Sequence, residues 1–302
     1  MGPTRTRWTP QRRRNLTTGL LFASPAIIGL LWFTLYPVAM SFYYSFTHYS
    51  IFGGARWIGT VNYSTLLEDG NFWRSLQNSV YIMGFSLPLG IAVALALALL
   101  LNLDVKGKSV YRTIFYLPSI MPAVAAAIIW GYMFNRQYGI INDLLAKIGV
   151  QGPGWLASTT WSKPALVIMS TWGVGNLMII LLAGLQDIPR DLQDASKVDG
   201  ANWLQSFRNV TVPCLGPHLF FALVTGLIAG LQYFTPVYVL TGGDGGPANS
   251  TLVLPLYIYQ VAFRFFNMGY ASAMSWVLLL LTVALTALVF LALSRRVYYA
   301  GR

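Results

Sequence analysis

The spacing of charges constrains this chain most. No Asp, Glu, Lys or Arg occurs within residues 15–55, 75–103, 113–135, 164–186, 209–243 or 265–294. A charge at the centre of a bilayer costs about 2.5 kcal/mol or more, and a spanning helix needs about 20 mostly apolar residues. Each gap is long enough, so the sequence predicts six transmembrane helices, near 19–42, 76–101, 114–134, 164–185, 218–240 and 271–293. Two shorter charge-free stretches, 148–162 and 245–263, are rich in Gly, Pro, Ser and Thr and read as loop or interfacial segments. Composition disfavours a soluble domain: of 302 residues 56% are apolar and 10% charged, against about 25% charged in globular proteins. Backbone in lipid must satisfy its own hydrogen bonds, which leaves helices or closed barrels. Residues 89–101 (LGIAVALALALLL) form a continuous apolar run and not the alternation of a barrel strand. The expected fold class is an all-α polytopic membrane protein.

Lys and Arg set the expected orientation. Fourteen of the 20 fall on one side, in the N-terminal segment with Arg5, Arg7 and Arg12 to Arg14, in connections two–three and four–five, and in the tail with Arg295, Arg296 and Arg302. By the positive-inside rule both termini are cytoplasmic. The predicted organisation is a basic tail over 1–18, a six-helix domain over 19–293 with a long cytoplasmic connection at 186–217, and a second basic tail over 294–302. The net charge of +11 thus reports topology, since it is scattered over juxtamembrane loops and forms no basic face for nucleic acid. The first apolar run continues to Phe46 without a small-residue cleavage site, so it reads as an uncleaved anchor. The single cysteine, Cys214, has no intrachain partner and reads as a small apolar filler.

Few motifs suggest chemistry. Gly107-Lys108-Ser109 imitates the end of a phosphate-binding loop, but Asn102 stands where the pattern needs Gly, and a membrane helix precedes it in place of a strand. Gly242 to Pro247 reads as a flexible turn. His48 and His218 are far apart, and no carboxylate lies in any span, so no metal site, catalytic set or cofactor is expected on this chain. Proton-driven carriers commonly hold Asp, Glu or His within their spans. Energy for any transport is therefore expected to come from elsewhere.

The longest cytoplasmic connection is the informative segment. Asp187 and Pro189 signal a helix start, and the helix is expected to run through Leu192, Asp194, Ala195 and Ser196 to about Val198. Gly200 suits the left-handed residue that ends it. A second short helix over 202–210 follows, broken by Pro213 and Pro217 before span five. The result is a helix–turn–helix finger with mixed apolar and charged surface, suited to an interfacial hairpin or to a groove on a partner.

These residues carry a family resemblance. Gly184 to Pro189, Asp194-Ala195-Ser196, Asp199-Gly200-Ala201, Phe207 and the segment 213–217 resemble the cytoplasmic "EAA" loop of ABC-importer permeases. More narrowly they resemble the first permease subunit of the maltose-type carbohydrate importers, as do Tyr111 to Pro118, Leu240 to Gly243 and Phe266 to Ala273. The resemblance spans about 20–293. Asp194 stands where the family has Glu and Ser196 where it has a second Ala, so the reach of the acid is one methylene shorter. The extra N-terminal spans and outer domain of the best-known maltose member are missing, as in the commoner six-span version.

The resemblance implies the transmembrane-domain architecture of a type I ABC importer in a bacterial inner membrane. Its implied partners are a second six-span permease, two cytoplasmic ATPase subunits that hold ATP and Mg, and an external solute-binding protein that delivers a mono- or oligosaccharide. ATPase coupling falls to Leu192, Asp194, Ala195, Ser196, Asp199 and Gly200. The family's sugar-contact positions correspond to Ser170, Gly173, Val174 and Leu177, with Gly226, Gly230 and Tyr233; Asn176, Gln232, Thr235 and Tyr238 lie near them. Gly and Ser in membrane helices also serve close packing, whereas an amide facing lipid is left unsatisfied, which favours Asn176 and Gln232 as pathway groups. No Arg or Lys lies in a span to favour a phosphorylated substrate. The alternatives are an ATP-independent secondary transporter or facilitator, and an ABC importer for glycerol phosphate.

Overall fold

The computed structural model describes residues 10–104 and 106–293. The expected tail 294–302 lies outside the described residues, and the 1–18 segment is already helical from Pro10. By length and composition, four helices are apolar enough to cross a bilayer: Thr17–Ser45, Gly70–Asn102, Gly216–Thr241 and Met268–Leu293. They contain expected spans one, two, five and six.

Spans three and four, expected as continuous helices, are each broken. Lys108–Ile120 and Ala123–Met133 meet at a bend of 100°, and Ser162–Trp172 and Gly175–Gln186 at 50°. The first break is set by Pro122, which lacks an N–H and drives the residue before it out of the helical region; Met121 sits at ψ 137°. In the second, Gly173 and Val174 flatten to ψ 21° and 6° before the helix restarts. Span five carries a third interruption: the helix Gly216–Leu231 ends at Gln232, and Thr235–Thr241 resumes with Pro236 in its first turn.

At the end of span two that begins with Gly70, two features depart from expectation. Thr47–Ser50 and Gly53–Trp57 pair as an antiparallel hairpin, an exception to the all-α reading. Asn62 Nδ2 ties its base to span one, donating to the Ser45 and Thr47 carbonyls at 2.9 Å each. The stretch 245–263, expected as loop, is instead core: Leu254–Tyr259 is helical, and Leu252, Leu254 and Leu256 are fully buried against Phe72, Ile82 and Met274. Its apolar residues are too few to span lipid and numerous enough to bury against helices.

Asp69 fastens this end together. Its carboxylate accepts the Asn71 and Phe72 N–H groups as the N-cap of span two, and the hydroxyls of Tyr257 and Tyr270 at 2.6 and 2.8 Å. Burial alone would raise its pKa, but these hydrogen bonds outweigh burial and hold the carboxyl below its ordinary value. The clamp's stabilisation is therefore complete above the ordinary carboxylate pKa of about 3.9 and fades only as pH falls through the lower folded value. Asp69→Ala removes a cap and orphans two hydroxyls, and we expect it to lower stability by about 1–2 kcal/mol. Thermal melting of the purified protein checks this; an unchanged midpoint would show that the clamp is idle.

Candidate functional site

At the opposite end of the bundle stands the finger. Its first helix is Arg190–Val198. Pro189, extended at φ −57° and ψ 132°, opens it, while Asp187 ends the preceding helix instead of capping this one. The finish is a Schellman closure: the Ala201 N–H donates to the Ser196 carbonyl and the Gly200 N–H to Lys197, both at 3.0 Å, with Gly200 at φ +74°. Leu192, Asp194, Ala195, Asp199 and Gly200 are exposed. Ser196 is not: its hydroxyl donates inward to Gln193 and meets Ser206 Oγ at 3.0 Å, riveting the two arms together. Asp194 pairs with Lys197 at 2.9 Å on the exposed surface.

The second arm differs from the expected helix over 202–210. Trp203–Ser206 starts on an Asn202/Gln205 capping box, widens into a π turn at Phe207–Thr211 and continues as Val212–Cys214. Pro213 does not stop it, because it sits in the first turn of that short helix. Only Leu215 separates it from span five, so the finger continues almost directly into that helix. Where they emerge, spans four and five touch closely: a Cβ on Gly184 would meet the His218 ring at 2.6 Å. Beneath the finger lies a groove of about 780 Å³, which sequence reasoning missed, between Leu99, Leu100 and Leu103 of span two and Lys197, Trp203 and Phe207.

Midway along the bundle, spans two, four and five border an open cavity of about 420 Å³. Of the predicted pathway residues, Ser170, Gly173, Asn176, Leu177, Gly230 and Tyr233 line it, together with Val174 and Gly226. Gln232 does not: as the residue ending the span-five helix it is exposed away from the cavity. Thr235 and Tyr238 also lie outside it, Tyr238 within an aromatic group with Phe234 and Tyr259. Span two contributes Ser86, Leu87, Gly90 and Ile91, which sequence reasoning missed. Its long apolar run hid them, although Ser86 and Gly90 interrupt that run at helical spacing.

No Asp, Glu, Lys or Arg lines the cavity. The Ser170 hydroxyl donates to Val167 at 2.6 Å, leaving its oxygen as an acceptor. Tyr233 lines the cavity, but its hydroxyl is buried out of contact with the open space and has no hydrogen-bond partner among the described residues, a state that costs about 1–3 kcal/mol. Among those residues no group of His, Cys, Asp or Glu could hold a metal ion. The arrangement suits a neutral ligand rich in hydroxyls.

Residues 86–298, which include the finger and the cavity walls, match the family of binding-protein-dependent transport system inner membrane components. The chain belongs to this family. Its relatives include the probable ABC transporter permease protein YesP of Bacillus subtilis, 41% identical over 96% of this chain and 94% of the relative. The permease is also similar to the lactose transport system permease protein LacF of Rhizobium radiobacter, at 38% identity over 92% and 94% of the two chains. The trehalose/maltose transport system permease protein MalF of Thermococcus litoralis is 33% identical over 93% and 95%. In fold the permease matches a chain of a bacterial ABC transporter that imports the acidic polysaccharide alginate, with TM-score 0.82 at 24% identity over 95% and 99%.

Proposed function

We propose that the permease forms, with a second permease subunit, the membrane pathway of an ABC importer for a mono- or oligosaccharide delivered by an external solute-binding protein. The observation that carries this reading is the cavity free of Asp, Glu, Lys and Arg, walled by Ser170, Asn176 and Tyr233. The sugars named for its relatives support the substrate class. In this reading both termini and the finger are cytoplasmic, each bent helix pair counts as one of six crossings, and the hairpin end faces outward to the binding protein. ATP and Mg sit on the ATPase subunits. The exposed residues Leu192, Asp194, Ala195, Asp199 and Gly200 form the docking face, and Ser196 shapes it from within.

Affinity purification of the tagged permease from native membranes tests the assembly. An ATPase with a phosphate-binding loop and a second polytopic permease are expected to travel with it; a chain that remains alone after mild crosslinking would overturn the reading. Asp194→Ala is expected to spare the fold, because an exposed ion pair contributes only about 0–1 kcal/mol. It should nevertheless weaken ATPase retention or sugar-stimulated hydrolysis, and normal values of both would make Asp194 incidental. Tyr233→Ala is expected to cut uptake about ten-fold or more with the complex intact, because it removes an aromatic ring from the cavity wall. Wild-type uptake would place the sugar elsewhere.

A further inference from the structure

Span two has a face that the cavity does not use. Met83 packs against Gly230 and Leu87 against Gly226, so the side of the helix that bears Tyr81, Phe85 and Leu89 points the other way. All three are exposed, and the Tyr81 and Phe85 rings lie 4.6 Å apart, so they form an apolar column one residue wide along the helix. At its upper end Trp73 and Trp161 are also exposed. Tryptophan favours the level of the lipid headgroups, which sets the depth of this end of the column.

Two cations stand at the head of the column. Lys163, half-buried at the start of the helix Ser162–Trp172, donates from Nζ to Asn78 Oδ1 at 3.2 Å and sits 5.0 Å from the centre of the Tyr81 ring. Its supports are fixed: Asn78 Nδ2 donates to the Asn249 and Leu252 carbonyls at 2.9 Å each, and Ser162 shares a 2.8 Å hydrogen bond with Ser250. An ammonium carries three donors, of which Asn78 takes one. Arg74 is exposed one helical turn before Asn78. Among the described residues no Asp or Glu forms an ion pair with Lys163 or with Arg74. Uncompensated cations above an exposed aromatic and aliphatic strip complement a molecule with an anionic head and an apolar tail.

We propose that Lys163 and Arg74 hold the phosphate of an anionic phospholipid whose acyl chain lies along Tyr81, Phe85 and Leu89. The phosphate then bridges spans two and four on the side remote from the cavity, and ties together two of the cavity's walls above the break in span four. The site is independent of which solute crosses the membrane.

The test uses the purified protein in mixed micelles of detergent with equal amounts of phosphatidylglycerol and phosphatidylcholine. Retained lipid is counted by mass spectrometry, and the melting midpoint is recorded with each lipid alone. The wild type is expected to retain phosphatidylglycerol about five-fold or more over phosphatidylcholine, and to melt higher in phosphatidylglycerol, because a ligand of the folded state stabilises it. Lys163→Gln should lower that preference about five-fold and remove most of the rise in midpoint. Where Lys163→Gln recovers poorly because Asn78 loses its partner, the exposed Arg74→Gln decides by the same two readings. Arg56→Gln, on the exposed hairpin at the same end, should stay within about two-fold of the wild type, since it lies off the column. Equal retention of the two lipids by the wild type overturns the proposal, as does an undiminished preference in the folded variants. Equal losses in Lys163→Gln, Arg74→Gln and Arg56→Gln overturn it in favour of diffuse surface charge. The same rise in midpoint from inorganic phosphate in phosphatidylcholine micelles, lost in Lys163→Gln, overturns it in favour of a soluble anion.

Discussion

Gly200→Val is expected to abolish uptake while the permease still reaches the membrane in folded form. Gly200 closes the first finger helix at φ +74°, and nothing lies within 4 Å of the place a Cβ would take. The penalty is therefore one of backbone conformation alone. A left-handed backbone costs an ordinary L-residue about 1–2 kcal/mol, and a β-branched one is a genuine outlier there. The Schellman bonds from Ala201 and Gly200 would be lost with it. The connection between the two arms would then repack, altering the angle at which Leu192 and Asp194 are presented. Because the cause is conformational, the effect should be graded: Asn, which tolerates this region, should retain most uptake, and Ala should fall between. ATP hydrolysis and uptake measured on the three variants check this. Full uptake by Gly200→Val, or equal loss in Val and Asn, would contradict it.

A still larger loss is expected for Gly175→Val, this time through the fold. A Cβ on Gly175 would lie 2.9 Å from the Phe115 carbonyl oxygen, from Tyr116 Cα and from Ser119 Oγ. Two of those atoms are backbone, so no rotamer change relieves the contact. Spans three and four pack here nearly main chain to main chain, just where span four restarts after its break. Overpacking a close site costs about 1–3 kcal/mol or more; here two broken helices would have to separate, disturbing the cavity wall at Gly173 and Val174. The expected result is poor recovery of folded complex and no measurable uptake. Gly84→Val is the matched control, because Gly84 lies in span two outside the cavity walls and its Cβ would meet nothing within 4 Å. Normal recovery and uptake for Gly175→Val would show that this contact yields freely.

The membrane class and the finger were legible because each rests on a local rule. Charge-free gaps mark apolar helices, and Pro189 with Gly200 marks the two ends of one short helix. Six of the predicted pathway residues converge because they fall on cavity-facing positions of spans four and five. Gln232 does not, because the helix ends at that residue and turns its side chain out of register with Tyr233. The breaks were invisible to hydropathy, since Pro122, Gly173 and Pro236 interrupt a helix without lowering its apolar character. The buried segment around Leu254 was misread because a short apolar run flanked by Gly and Pro looks the same whether it lies at an interface or in a core. The Asp69 clamp joins residues far apart in sequence, and no local pattern announces it.

The Asp69 clamp and the three breaks together divide the molecule into two storeys. Above the breaks, the start of span two, the hairpin, the 254–264 segment and the start of span six are cross-tied through Asp69, Asn62 and Asn78. Below them, the finger, span five and the lower half of span four form one stem, keyed where His218 sits against Gly184. Between the two storeys lie the joints at Met121–Pro122, Gly173–Val174 and Gln232–Phe234, the layer in which Gly173, Val174 and Tyr233 line the cavity. A tilt of the stem against the upper storey would therefore change the width of the cavity, whose walls come from both sides of the joints.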